Sequence, residues 1–288
     1  MPTLLLSLIA AQLIFWSDRA DFWNADSPSL KTEELNTTSH LESMPNFSEC
    51  MGKRVLMLIH GFNNTADDAL TTYHLVNEHF SHLQDESGQE LYDVIIGYLW
   101  PGDDKKSDYF DAKKHADLLA NRMKESISHL ASQALKIDLF AHSMGNRLIL
   151  EALKLLPSNP DKKPIENFYS LAPAVDNESI EKGEEFYPST KQCKNIFVFH
   201  SERDEVLKYL YLAAERDRAL GYEGEEHSRN VPMNVQFVDC TAFVGGHSEY
   251  FQANPLYQFI LSQHEKLIDS PISAMHLKLL GDGTAKKN

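Results

Sequence analysis

The chain has 288 residues, 42% of them apolar and 24% charged, with 13 Gly, 12 Pro and 3 Cys. That apolar share over that length can fill a sizeable core without covalent staples, which argues against a disordered, collagen-like or disulfide-scaffold chain. The 42 Asp and Glu against 27 Lys and Arg leave a net charge of −15, which repels phosphate backbones and argues against a nucleic-acid partner.

Taken from the start, the run TLLLSLIAAQLIFW from Thr3 to Trp16 carries no charge and is shorter than the ~20 residues of a membrane-spanning helix. It has the length of a signal-peptide core, yet no Lys or Arg precedes it and no small-x-small site closes it. It reads as an apolar helix packed on the body of a cytoplasmic protein; export, or membrane contact through residues 3–16, stays open beside that. Asp18 to Lys53 is polar and lacks apolar periodicity, so it reads as an extended linker over the surface. Cys50, Cys193 and Cys240 show no metal-ligand spacing and read as free, buried residues, although pairing of two of them stays open.

From Arg54 the pattern changes. RVLMLI (54–59), YDVIIGYLW (92–100), KIDLF (136–140), NFYSL (167–171), NIFVFH (195–200) and NVQFV (234–238) are apolar on both faces or nearly so, as strands covered on both sides must be. Between them, Leu70, Tyr73, Asn77 and Phe80 fall at helical spacing, Ala116 to Leu130 mark a second helix, and Asn146 to Leu155 a third. Strand and helix in alternation predict an α/β fold with a doubly wound, mostly parallel sheet. The tail from Asp269 to Asn288 reads as a loosely packed helix followed by frayed residues.

The chemistry lies at the ends of these strands. After 54–59 comes His60-Gly61-Phe62, where Gly61 lets the backbone turn closely and the Phe62 N–H can meet a developing oxyanion. After 136–140 comes Ala141-His142-Ser143-Met144-Gly145, a strand, a sharp turn and a helix with a serine at the tip. A nucleophile elbow needs small residues two before and two after the serine, and Ala141 and Gly145 supply them; the Met144 N–H is the second oxyanion donor. A serine hydroxyl needs a base and an orienting acid. Asp204 follows the strand at 195–200, and His247 follows the last strand behind Gly245 and Gly246. Asp176, after the strand at 167–171, is a rival acid. Asp204 also suits a helix N-cap.

Together, LMLIHGFNN, AHSMGN, HSERDEV and GGHSEY resemble the α/β-hydrolase superfamily, and IGYLWPGDD adds a closer similarity to small bacterial members known only as a domain of unknown function. The resemblance covers about Arg54 to Leu267. It implies Ser143 as nucleophile, Asp204 as acid, His247 as base, and Phe62 and Met144 as oxyanion donors. It further implies an N-terminal segment at 1–52, a catalytic domain at 53–268 and a tail at 269–288. Two departures stand out: Ala141 replaces the first elbow glycine, and the first fifty residues have no counterpart.

The reaction so implied is hydrolysis of a small-molecule carboxylic ester or related acyl substrate through an acyl-enzyme, with no metal or organic cofactor. Thioesterase, lipase and amidase chemistry use the same parts, and a non-catalytic binding protein on this fold is the alternative class. His74, His79 and His82 lack HExxH spacing and read as a solvated helix face. Asp103 and Asp104 read as solvated loop acids. Short connections leave no room for a large cap, so an accessible pocket accepting modest esters is expected. Tyr209, Tyr211, Trp100, Phe62 and Phe243 are candidates for its walls, beside a helix and acidic loop at Glu205 to Val231.

Overall fold

A strand that is apolar on both faces is stable only when something covers each face. The computed structural model describes residues 11–35, 41–42, 45–103, 105–159, 163–265 and 276–278. In chain order its elements are β1 (Gln12–Asp21), β2 (Asn24–Leu35), β3 (Leu41–Glu42), β4 (Arg54–Ile59), α1 (Ala66–Ser81), β5 (Val94–Leu99), α2 (Tyr109–Gln133), β6 (Lys136–His142) and α3 (Gly145–Lys154). There follow β7 (Ile165–Leu171), α4 (Tyr187–Thr190), β8 (Cys193–His200), α5 (Leu212–Glu215), α6 (Leu220–Glu223), β9 (Val235–Asp239), α7 (Asn254–Glu265) and β10 (His276–Lys278).

The strands form one sheet in the order β10-β9-β8-β7-β6-β4-β5-β1-β2-β3. From β10 to β1 every neighbouring pair is parallel; β2 alone runs against its neighbours. Side chains alternate between two cores. In β4, Val55, Met57 and Ile59 enter one with residues of α2 and α3, while Leu56 and Leu58 enter the other with residues of α1 and α7. This is the doubly wound α/β arrangement expected, with helices on both faces and, among the described residues, no separate cap domain.

Three expectations are corrected. The stretch from Asp18 read as a surface linker belongs to the sheet: β1 and β2 form an antiparallel hairpin whose first strand lies parallel to β5. Nor does the described part of the leading apolar run form a helix. Ile14 and Trp16 enter the first core while Leu13 and Phe15 pack against the second. A period of two is invisible when both faces are apolar. Residues 3–10 lie outside the described residues. At the other end, most of the tail also lies outside them, but His276–Lys278 is a strand paired with β9 rather than helix.

Ser17, Asp18 and Arg19 are fully buried in β1. Buried charge is costly unless paired. Asp18 accepts from the Tyr98 hydroxyl and lies 3.4 Å from Arg122 Nη1; Arg19 reaches into the loop after β4, as described below. Cys50, Cys193 and Cys240 are free and buried. Among the described residues no helix is long and apolar enough to cross a membrane, and no group of three His, Cys, Asp or Glu is placed to hold a metal ion. His79 departs from a solvated face: it is half-buried and stacks on Tyr257 with ring centroids 4.2 Å apart.

Candidate active site

Ser143 sits between β6 and α3 with φ of +53°, the left-handed region that a non-glycine residue enters at a cost of about 1–3 kcal/mol. Local bonds hold it there. Its N–H donates to the Leu171 carbonyl at 3.0 Å, and buried Asn146 donates through Nδ2 to the carbonyls of Ala141, Ser143 and Leu171 at 3.0–3.2 Å. Gly145 lets α3 meet β4: a Cβ there would lie 2.4 Å from the His60 carbonyl oxygen. Gly61 does the same for the facing loop, where a Cβ would lie 2.9 Å from Ser143 Cβ. Ala141 is wholly buried at the end of β6.

Three side chains from three strand ends meet. His247 Nε2 is 2.9 Å from Ser143 Oγ, and His247 Nδ1 is 2.7 Å from Asp204 Oδ2. A carboxylate only accepts, so Nδ1 carries the proton and Nε2 is free to take one from serine. Asp204 is fully buried, and its Oδ1 accepts the Leu207 N–H at 3.0 Å. Capping the following helical turn and orienting His247 are thus one arrangement, not two competing ones. The rival Asp176 instead accepts from the Tyr211 hydroxyl at 2.6 Å, and burial raises its pKa.

The loop carrying His247 is held by a second histidine that sequence reasoning missed. His142 Nε2 lies 2.8 Å from the His247 carbonyl and donates to it. Burial, and next the neighbouring His247, push the His142 imidazole down to about 3, so it stays neutral. Its position inside the elbow string was the only available signal.

Phe62 and Met144 both border the cavity in which Ser143 lies. Among the described residues neither backbone N–H donates to a protein acceptor. Met144 also precedes the first turn of α3, whose N-terminal dipole favours negative charge. The loop between them and α1 is anchored by a capping box: Thr65 Oγ1 accepts the Asp68 N–H while Asp68 Oδ2 accepts the Thr65 N–H, each at 3.2 Å.

The cavity holds about 600 Å³, and its apolar walls come from Phe62, Phe110, Met144, Ala174, Leu210 and Tyr211, among others. None of the described lining side chains is Asp, Glu, Lys or Arg. Of the wall candidates read from sequence, Phe62 and Tyr211 line it. Trp100 is buried in the first core, Tyr209 points to solvent and Phe243 packs on the second core. The Glu205 to Val231 segment forms a π-helical turn at Val206–Tyr211 followed by α5 and α6. Its turn supplies Val206, Leu207, Leu210 and Tyr211 to the cavity.

A family model described as an alpha/beta hydrolase of unknown function (DUF900) matches residues 36–263. A search of curated proteins finds no match. Solved structures similar to this chain include esterase PE8, at 11% identity over 77% of this chain and 95% of the other, with a TM-score of 0.42. Lipase B of Aspergillus fumigatus matches at 13% identity over 82% and 57%, with a TM-score of 0.47. The Pyrococcus furiosus esterase Pf2001 matches at 13% identity over 76% and 83%, with a TM-score of 0.42.

Proposed function

The chain belongs to the DUF900 family of α/β hydrolases, and from that premise we propose that it is a serine hydrolase cleaving carboxylic esters through an acyl-enzyme on Ser143. The observation that carries this reading is the unbroken hydrogen-bond chain from Ser143 Oγ through His247 to Asp204, opening at one end into an apolar cavity.

The chemistry follows from those bonds. As Ser143 Oγ attacks the ester carbonyl carbon, His247 Nε2 takes its proton, and Asp204 stabilises the imidazolium without itself becoming protonated. The carbonyl oxygen gains negative charge and is met by the N–H groups of Phe62 and Met144. The carbon–oxygen bond to the leaving alcohol then breaks, and His247 returns the proton to that alcohol. Water repeats the cycle on the acyl-serine and frees the acid. With no charged side chain among its described lining residues, the cavity favours a neutral, apolar acyl group, since burying an ionised one there would be uncompensated.

Turnover of a soluble nitrophenyl ester tests the assignment. The reading expects hydrolysis by the wild type, none above background by Ser143→Ala, a severe loss in Asp204→Asn and near-normal turnover in Asp176→Asn. A wild type inert toward activated esters points to the non-catalytic class; loss in Asp176→Asn with Asp204→Asn unaffected reassigns the acid.

A further inference from the structure

The loop that carries the Phe62 donor is gripped by a residue of β1. Arg19 is fully buried. Its Nε–H donates to the Trp100 carbonyl at 3.1 Å, and Nη2 donates to the Asn64 carbonyl at 3.0 Å and lies 3.3 Å from His60 Nε2. The Trp100 backbone N–H also points at that Nε2, at 3.3 Å. Neither a guanidinium nor an amide N–H can accept, so Nε2 is the unprotonated nitrogen. The His60 proton therefore sits on Nδ1, 2.8 Å from the Gly61 carbonyl, to which it donates. Asn64 Nδ2 adds a second donor to the same carbonyl at 3.3 Å. Burial, and next the Arg19 charge, push the His60 imidazole down to about 3.

The Gly61–Phe62 peptide is trans, so its carbonyl and its N–H point in opposite directions. Fixing the Gly61 oxygen on the His60 ring fixes where the Phe62 N–H is aimed. We propose that Arg19 and His60 are positioning residues for catalysis: they form a buried clamp that locks the tautomer of His60 and, through the Gly61 carbonyl, aims the Phe62 N–H at the oxyanion. The proposal rests on the ester-hydrolase reading above. Arginine suits the task because its planar fork donates in several fixed directions and keeps its charge at any ordinary pH.

The competing explanation is packing, because the His60 ring also stacks on Trp100 with centroids 5.7 Å apart at 19°. Four variants separate the two: Arg19→Met, Arg19→Lys, His60→Asn and His60→Phe. For each, kcat and KM are measured with a soluble nitrophenyl ester. Inhibition by a trifluoromethyl ketone, whose serine adduct presents an oxyanion, is measured alongside melting temperature. The clamp predicts that Arg19→Met lowers kcat on the order of 10²-fold, with KM within about threefold and ketone affinity falling in step with kcat/KM. Arg19→Lys, which restores some donors, recovers part of the loss. His60→Asn keeps an amide donor near Nδ1 and retains about tenfold more kcat than His60→Phe, although phenylalanine better preserves volume and stacking.

His60→Phe turning over as well as His60→Asn overturns the clamp. So does an Arg19→Met enzyme that loses melting temperature while keeping wild-type kcat and ketone affinity. If Arg19→Met does not fold, the His60 pair decides. A wild type inert toward both ester and ketone removes the ester-hydrolase reading and the clamp with it, an outcome distinct from an active wild type with indifferent variants.

Discussion

The two sides of the candidate site are held in place by different means. On the nucleophile side, the strained Ser143 backbone is bonded by Asn146, three residues on, and by Leu171 of the adjacent strand. On the oxyanion side, the loop from His60 to Asn64 depends on Arg19 and on Trp100, each about forty residues away. The first kind of support is partly written into a short string, through Asn146, and partly supplied by one paired strand, whereas the second comes from distant segments and exists only once the sheet has formed. Strain at Ser143 is thus answered by its own turn and the neighbouring strand, while the loop opposite draws its order from the sheet's added strand.

Breaking the nucleophile side has the largest expected effect. Ser143→Ala lowers kcat on the order of 10⁶-fold and Asp204→Asn on the order of 10⁴-fold, read as ester turnover, with melting temperature near wild type. On the oxyanion side the expected loss in Arg19→Met is smaller, on the order of 10²-fold, because one donor is misaimed and not removed. Equal losses on the two sides would erase the distinction. Gly145→Ala attacks both at once, since its Cβ would lie 2.4 Å from the His60 carbonyl. Thermal melts are expected to show destabilisation of about 1–3 kcal/mol, with activity lost even where the fold survives.

Acidity also probes the comparison, for each side carries one buried neutral histidine. His60 and His142 are both held near 3, below the unfolded value of about 6.5. A lowered folded-state pKa means that the unfolded chain binds the proton first. The stability they lend is therefore complete above about pH 6.5 and is lost as pH falls toward 3. Each should shift the folding equilibrium up to tenfold per pH unit in that window, and denaturant melts of His142→Gln should show the slope reduced by one proton. The smallest effect concerns substrate: kcat/KM should rise about fourfold per methylene of the acyl chain until the cavity is filled. A flat series from acetyl upward would mean that the cavity does not take the acyl group.

What could be read from sequence follows the same division. The six apolar runs are strands of the central sheet, and the three helical periodicities are α1, α2 and α3, because burial on both faces and on one face leave distinct periods. Ser143, Asp204 and His247 lie at strand ends, where the order of elements alone requires convergence. The string Ser17-Asp18-Arg19 has the composition of a surface loop, and nothing local reveals that Tyr98, Arg122 and Trp100 will solvate it inside the protein. His142 was hidden differently: its partner is a backbone carbonyl, which no residue pattern announces. Asp176 competes with Asp204 in the sequence because both follow strands; their partners differ only in the fold, His247 beside Asp204 and the Tyr211 hydroxyl on Asp176.

The central claim is that Ser143 is the nucleophile. Reaction of the full-length protein with a fluorophosphonate, followed by peptide mapping in the mass spectrometer, tests it most directly. The account predicts one stoichiometric adduct on the peptide containing Ser143, absent in Ser143→Ala and slowed in Asp204→Asn. An adduct on another residue, or labelling that persists in Ser143→Ala, would contradict it.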